Sequence, residues 1–212
     1  MNPKDFSDAV VEGDGEKVHR FVAEALEKGD TATTILAEGL TPGILKVGEL
    51  FHAGELFLPE MLRSAKAMGA GLSLLEPILS STEVEPIGRV VLGTVFGDLH
   101  DIGKNIVGML MRGAGFEVFD LGINVSADTF IESISSQKAE IVAISALLST
   151  TMPAMEDTVS AIKGSDIGNR VKILIGGAPI DLAFASKIGA DSYGEDAPEA
   201  VNKAMELIGQ QK

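Results

Sequence analysis

An imidazole stands between two carboxylates in the stretch Gly97-Asp98-Leu99-His100-Asp101-Ile102-Gly103-Lys104-Asn105. The spacing of Asp98 and His100 lets the carboxylate accept a hydrogen bond from one ring nitrogen. That fixes the tautomer and leaves the other nitrogen to face a metal. The chain has no cysteine and only three histidines, His19, His52 and His100. Disulfides, thiolate metal sites and thiol nucleophiles are thereby excluded. One histidine is also too small a donor set for a protein-only zinc site. A metal held by His100 has to arrive with its other positions already filled, as in a macrocycle. Taken alone, a loop histidine is equally well a solvated side chain, and His19 reads as one.

The elements around this loop supply the other candidates. The apolar run 90–96 before it reads as a buried strand, and 102–112 after it as a helix. The alternation continues, with strands over 117–121, 141–147, 171–175 and, weakly, 190–193. Helical patterns fall over 127–136, 155–163, 182–188 and 197–207. Such a pattern predicts a five-stranded parallel sheet covered on both faces, a flavodoxin-like (Rossmann-type) α/β domain over residues 84–212. Its strand ends carry Asp98 and His100; Ser145, Leu147, Ser149, Thr150 and Thr151; Gly176 and Gly177; and Tyr193 and Gly194. All would project along one edge of the sheet. Glycines there let a ligand lie on backbone, and hydroxyls bond it without bulk. Read singly, Gly176-Gly177 is a tight turn and the Ser/Thr run a helix cap. The first turn lacks the glycine spacing of a phosphate loop.

Residues 1–83 show no strand. Helical spacing runs over 17–26, with Asp14 as its cap and Gly29 as its stop. Asp30 is placed to cap a second helix, which Gly39 interrupts, and Thr41-Pro42 to open a third that ends at Gly54. A long helix follows from Leu58-Pro59, with Ala65, Ala67, Gly69, Ala70 and Gly71 as a small-residue face. The expectation is a four-helix bundle, joined to the sheet by a polar linker over 80–86.

A net charge of -14, from 31 acids and 17 bases, argues against a nucleic-acid partner. No apolar run approaches the ~20 residues of a membrane helix, and the start of the sequence has no signal-peptide pattern. Both point to a cytoplasmic protein with no membrane partner.

Asp98, His100 and Gly103 as D-x-H-x-x-G, Ser145 and Leu147 as S-x-L, and Gly176-Gly177 together resemble the cobalamin-binding domain of methyltransferases. Phe51-His52-Ala53-Gly54-Glu55-Leu56-Phe57-Leu58-Pro59 is similar to the F-x-x-G-x-x-F-L-P segment of the helical cap in methionine synthase and in small methyltransferase corrinoid proteins. The resemblance covers nearly the whole chain.

It implies a cobalamin or related corrinoid (methylcobalamin, hydroxocobalamin), with His100 as the lower axial ligand of cobalt and Asp98 hydrogen-bonded to it. Thr151 would stand where methionine synthase has the serine of an Asp-His-Ser relay. The nucleotide tail would pass Ser145, Leu147, Gly176 and Gly177, towards Tyr193 and Gly194. Leu99, Asp101, Ile102, Gly103, Ser149 and Thr150 would complete the cofactor site. Phe51 and Leu58 would shield the upper face, although spacing alone makes them bundle core. The 80–86 linker would be a hinge for moving the cap.

The implied activity is that of a methyl carrier in anaerobic one-carbon metabolism, not a complete enzyme. A substrate-specific methyltransferase would load it from a methylamine, a betaine or a methoxylated aromatic. A second methyltransferase would unload it to folate or a thiol, and a reductive activase would restore it. Alternatives are the cobalamin subunit of a mutase, which lacks the helical cap; a cobalamin-dependent regulator, which needs a basic DNA-binding module; and a phospho-receiver domain with Asp98 as acceptor and Mg²⁺ as its ion.

Overall fold

A computed structural model describes residues 2–79 and 86–209. The chain divides into two compact units, Met1–Pro86 with Met109–Gly115, and Ile87–Gly108 with Phe116–Lys212. The expected linker and hinge fall almost wholly on 80–85, outside the described residues.

The first unit contains α1 (Pro3–Glu12), α2 (Gly15–Glu27), α3 (Ala32–Thr34), α4 (Thr41–His52) and α5 (Leu58–Leu79). The periodicity over 17–26 missed α1, although its signals are present. Asn2 caps it by accepting from Lys4 N at 3.1 Å, Pro3 takes the first position, and Gly13 closes it at φ 71°. Asp14 caps α2 as expected, accepting from Lys17 N at 2.9 Å.

The second and third expected helices are one run. From α3 the backbone widens to a π-helix over Ile35–Leu40 and continues directly into α4. Thr31, not Asp30, caps its start, accepting from Thr34 N. Thr41 caps nothing: its hydroxyl donates to the Gly113 carbonyl at 2.7 Å. Pro42 brings no N–H to the ladder, and the wider π turns just ahead of it accommodate the break.

In α5, Ala65, Ala67 and Gly71 are buried, but Gly69 is exposed, so the small-residue face is narrower than expected. A Cβ on Gly71 would come within 2.9 Å of Leu40 and Val18 side chains, which explains why a glycine stands there.

The second unit is a parallel sheet in the order β2-β1-β3-β4-β5. Its strands are β1 (Arg89–Thr94), β2 (Glu117–Asp120), β3 (Ile141–Ser145), β4 (Lys172–Gly176) and β5 (Ser192–Gly194). They alternate with α6 (Ile102–Gly113), whose end from Met109 belongs to the first unit, α7 (Ala127–Gln137), α8 (Met152–Gly164), α9 (Leu182–Ile188) and α10 (Ala197–Leu207). Strands β1 and β3 are shorter than their apolar runs. Val95 makes only an isolated bridge to Val125, and Phe96 and Leu147 lie beyond the ladder and are exposed. Helix α8 starts at Met152, ahead of the expected 155, behind a 3-10 turn over Ser149–Thr151.

The core under the sheet centres on Phe130 of α7, which is fully buried against β1. Burial of such a ring stabilises by roughly 2–3 kcal/mol. Gly93 makes the room: a Cβ there would meet the ring at 2.8 Å.

Candidate functional site

Strands β1 and β3 are neighbours, and the connections leaving them depart in opposite directions along the sheet. Such a switch point leaves a crevice at the carboxyl ends of the strands, where doubly wound sheets bind ligands. Asp98 spans it. Its Oδ1 accepts from His100 N at 3.0 Å and from His100 Nδ1 at 2.7 Å. Its Oδ2 accepts from Leu147 N at 2.8 Å, Leu148 N at 3.3 Å and Thr151 Oγ1 at 2.8 Å. A side chain in the loop after β1 thus gathers the loop after β3 and the 3-10 turn ahead of α8 onto the histidine.

Asp98 is completely buried. Burial alone would raise its pKa, but the donors outweigh it. The backbone amides of His100 and Leu147, the His100 ring and the Thr151 hydroxyl hold its carboxyl well below the usual carboxylate range. Thr151 has one hydroxyl proton and two acceptors in reach, Asp98 Oδ2 and the Leu148 carbonyl at 2.9 Å. The ionised carboxylate is the stronger acceptor.

His100 is unlike its partner: its side chain is 49% exposed. With Nδ1 engaged by Asp98, Nε2 carries the lone pair and points away from the carboxylate. No group of three or more His, Asp and Glu side chains that could hold a metal ion occurs among the described residues. A metal meeting Nε2 must bring its remaining ligands, which is what a macrocycle does.

The surroundings suit a large, flat, largely apolar group. Phe96, Leu99, Ile102, Ile123, Leu147, Leu148 and Leu182 are all exposed, and all lie beyond the carboxyl ends of the strands. A rim of this kind marks a binding surface. Of these, Leu99, Ile102 and Leu147 were expected from sequence; Phe96, Ile123, Leu148 and Leu182 were not. Phe96 was read as strand core, and apolar residues in loops give no periodic signal.

On the β4–β5 side the edge is closely packed glycine backbone. Gly177 has φ +133°, and a Cβ would overlap the Ala146 carbonyl oxygen. Gly176 lies beside Gly194, where a Cβ would come within 3.1 Å of the Gly194 oxygen. Gly194 is itself pressed against Ala200 of α10, 2.8 Å from where a Cβ would be. Tyr193 is half-buried in β5. Burial, then the charges of Glu195, Glu199, Asp181 and Asp196, raises its pKa.

Ser145 ends β3 half-buried; Ser149 and Thr150 are exposed in the 3-10 turn, and Asp101 and Gly103 flank the start of α6. Phe51 and Leu58 belong to the first unit. Phe51 is half-buried near the end of α4 and Leu58 is 46% exposed at the start of α5, so neither is bundle core.

Two polar residues escaped the sequence reading. Lys104 in α6 is 3% exposed, and its ammonium donates to Asp120 and, at 2.7 Å, to Asn105 Oδ1. Thr94, fully buried in β1, donates to the His100 carbonyl at 3.0 Å. A lysine inside an apolar helical stretch was a usable signal; the threonine gave none. The first unit has a separate groove of about 660 Å³ lined by His19, Arg63 and Lys66 among others, and it shares no residue with this site.

Two family descriptions match the chain, each a B12 binding domain, one over residues 88–202 and one over 4–76. Dimethylamine corrinoid protein 2 of Methanosarcina acetivorans is 42% identical over 206 residues, covering 97% of this chain and 95% of that protein. A cobalamin-binding protein of Desulfitobacterium hafniense matches in structure with a TM-score of 0.81 and 31% identity, over 98% of both chains. The methanol:cobalamin methyltransferase complex of Methanosarcina barkeri matches with a TM-score of 0.83 and 30% identity, over 98% of this chain and 80% of that one.

Proposed function

Since the chain belongs to the family of corrinoid proteins built from B12 binding domains, we propose that it carries a methyl group on a bound corrinoid between two methyltransferases, with His100 as the lower axial ligand. The observation that carries this reading is the Asp98–His100 pair, 2.7 Å apart with Nε2 left free at the mouth of the switch-point crevice. When bound, the corrinoid supplies a cobalt that accepts and releases the methyl group.

The chain's residues do the rest. Asp98, kept ionised by its donors, holds the His100 proton at Nδ1 and so keeps the Nε2 lone pair available. Thr151 steadies the far oxygen of Asp98, which makes Thr151, Asp98 and His100 a continuous hydrogen-bonded line. The exposed Leu99, Ile102, Leu147 and Leu148 would keep water from a group held at His100. The close-packed backbone at Gly176 and Gly177, both half-buried, would border the path of the nucleotide tail, with Tyr193 and Ser145 beside it.

A methylamine is the donor we place first, since a dimethylamine corrinoid protein is 42% identical to the chain over nearly its whole length. A methyltransferase specific for that amine would load the protein, a second would pass the methyl to folate or a thiol, and a reductive activase would restore the active state. The phospho-receiver reading of Asp98 has the geometry against it, because both oxygens are already saturated and fully buried. The mutase-subunit reading leaves the helical B12 binding domain over 4–76 without a purpose.

The test is the visible spectrum of protein reconstituted with hydroxocobalamin beside His100→Ala. A histidine-ligated spectrum in the wild type that turns to the unligated form in the variant supports the assignment. Failure of the wild type to retain corrinoid ends it. Methyl transfer from mono-, di- and trimethylamine, each with its own methyltransferase, then identifies the donor.

A further inference from the structure

The loop that carries Asp98 and His100 is held from outside the motif. After β2 the chain does not turn away. Gly122 accepts from Thr94 N at 3.0 Å through its carbonyl, Val125 N donates to the Thr94 carbonyl at 2.9 Å, and the second of the two residues between them reaches the motif itself. That residue is Asn124. Its backbone N–H donates to the Asp98 carbonyl at 3.0 Å, and its Oδ1 accepts from Gly97 N at 2.8 Å. The two bonds hold the Gly97-Asp98 dipeptide at both ends, one at its first N–H and one at its last carbonyl. Asn124 holds φ 55°, in the left-handed region that asparagine tolerates better than other residues with a side chain.

The grip is itself anchored. Asp120 accepts from Gly122 N at 2.9 Å and from the buried Lys104 ammonium, which ties the 121–125 segment to α6. On the inner side, Thr94 Oγ1 fixes the His100 carbonyl. The histidine backbone therefore sits between two braces, Thr94 beneath and Asn124 beside, and neither belongs to the D-x-H-x-x-G pattern.

We propose that Asn124 and Thr94 are positioning residues for the axial histidine: by fixing the Gly97–His100 backbone they set how readily His100 Nε2 meets the metal. The role rests on the axial reading above. Asn124 is exposed, so its side-chain amide serves the loop and is no part of the buried core.

The experiment compares Asn124→Gly, Asn124→Asp, Thr94→Val and Thr94→Ser with wild type and His100→Ala, each reconstituted with hydroxocobalamin. Asn124→Gly keeps the backbone conformation and removes Oδ1; Asn124→Asp restores an acceptor there. The readouts are the unligated fraction in the visible spectrum and the thermal midpoint of the corrinoid-free protein. Asn124→Gly is expected to raise the ratio of unligated to ligated protein about fivefold, the change for one ordinary hydrogen bond, with the thermal midpoint little moved. Asn124→Asp is expected to recover most of the ligation, and Thr94→Ser to keep more of it than Thr94→Val.

A histidine-ligated wild type with the same ratio in Asn124→Gly and Thr94→Val overturns the positioning role and leaves the axial reading intact. A shift that follows the thermal midpoint and is not recovered by Asn124→Asp overturns it as well. A wild type that binds corrinoid without histidine ligation overturns the axial reading first, and this role falls with it.

Discussion

The two halves of the sheet edge are built on opposite principles. At β1 and β3 everything is done by side chains and their hydrogen bonds: one buried carboxylate receives five donors and aims one imidazole. At β4 and β5 the important feature is missing bulk: at Gly176, Gly177 and Gly194 backbone packs on backbone, where a Cβ would meet the Gly194 oxygen, the Ala146 carbonyl and Ala200. The first half can choose an atom, because hydrogen bonds are directional. The second half can only choose a shape. A ligand that uses both must present one atom to be coordinated and a long, thin remainder to be laid down.

The sharpest break falls on the glycine half. Gly177→Ala places a Cβ on the Ala146 carbonyl, a backbone atom that cannot give way, at a φ that side chains rarely adopt. Loss of about 4 kcal/mol or more, or no folded protein, is expected in urea denaturation.

Next comes Asp98→Asn, which turns an NH₂ towards donors that need an acceptor. Roughly 3 kcal/mol is expected from the same titration near neutral pH. The pH dependence has a definite sign. The native carboxyl lies below its ordinary value near ~3.9, so its contribution is complete above that pH. It is lost as pH falls further towards the depressed native value. Wild-type stability should therefore drop more steeply than that of Asp98→Asn below pH ~4.

Thr151→Val removes one donor to a buried charge, and a loss of about 1–2 kcal/mol is expected, while Thr151→Ser stays within about 0.5 kcal/mol. The smallest effect tests how close that packing must be. Gly176→Ala brings a Cβ to 3.1 Å from the Gly194 oxygen, and strands can part by that little. About 1 kcal/mol is expected in stability, with a larger proportional loss in corrinoid affinity by spectral titration. Equal losses at Gly176 and Gly177 would remove the distinction between close packing and ligand space.

The parallel sheet was legible because apolar runs such as 141–147 and glycine-rich strand ends repeat with a simple period. Its strand ends were not, because Val95, Phe96 and Leu147 are as apolar as the strands they follow. Asp98, His100 and Thr151 were legible as a set, since two lie in one short motif and the third follows the next predicted strand but one. Asn124 and Thr94 were not. Their bonds join residues 27 and 6 positions apart, through a loop whose path depends on a finished sheet. In the helical unit, Thr41-Pro42 has the form of a helix start, yet lies in the middle of a run. Local propensity could not reveal that Thr41 spends its hydroxyl on Gly113, 72 residues away.

The saturation of Asp98 has a kinetic consequence. Every donor to that carboxylate comes from the chain, so the loop has its shape before anything binds. The entropy of ordering it is lost when the protein folds and not again at each encounter. On the proposed role of His100, capture would then be governed by how often the crevice is reached, and the lifetime of the complex by the one bond at Nε2 together with the apolar surface around it.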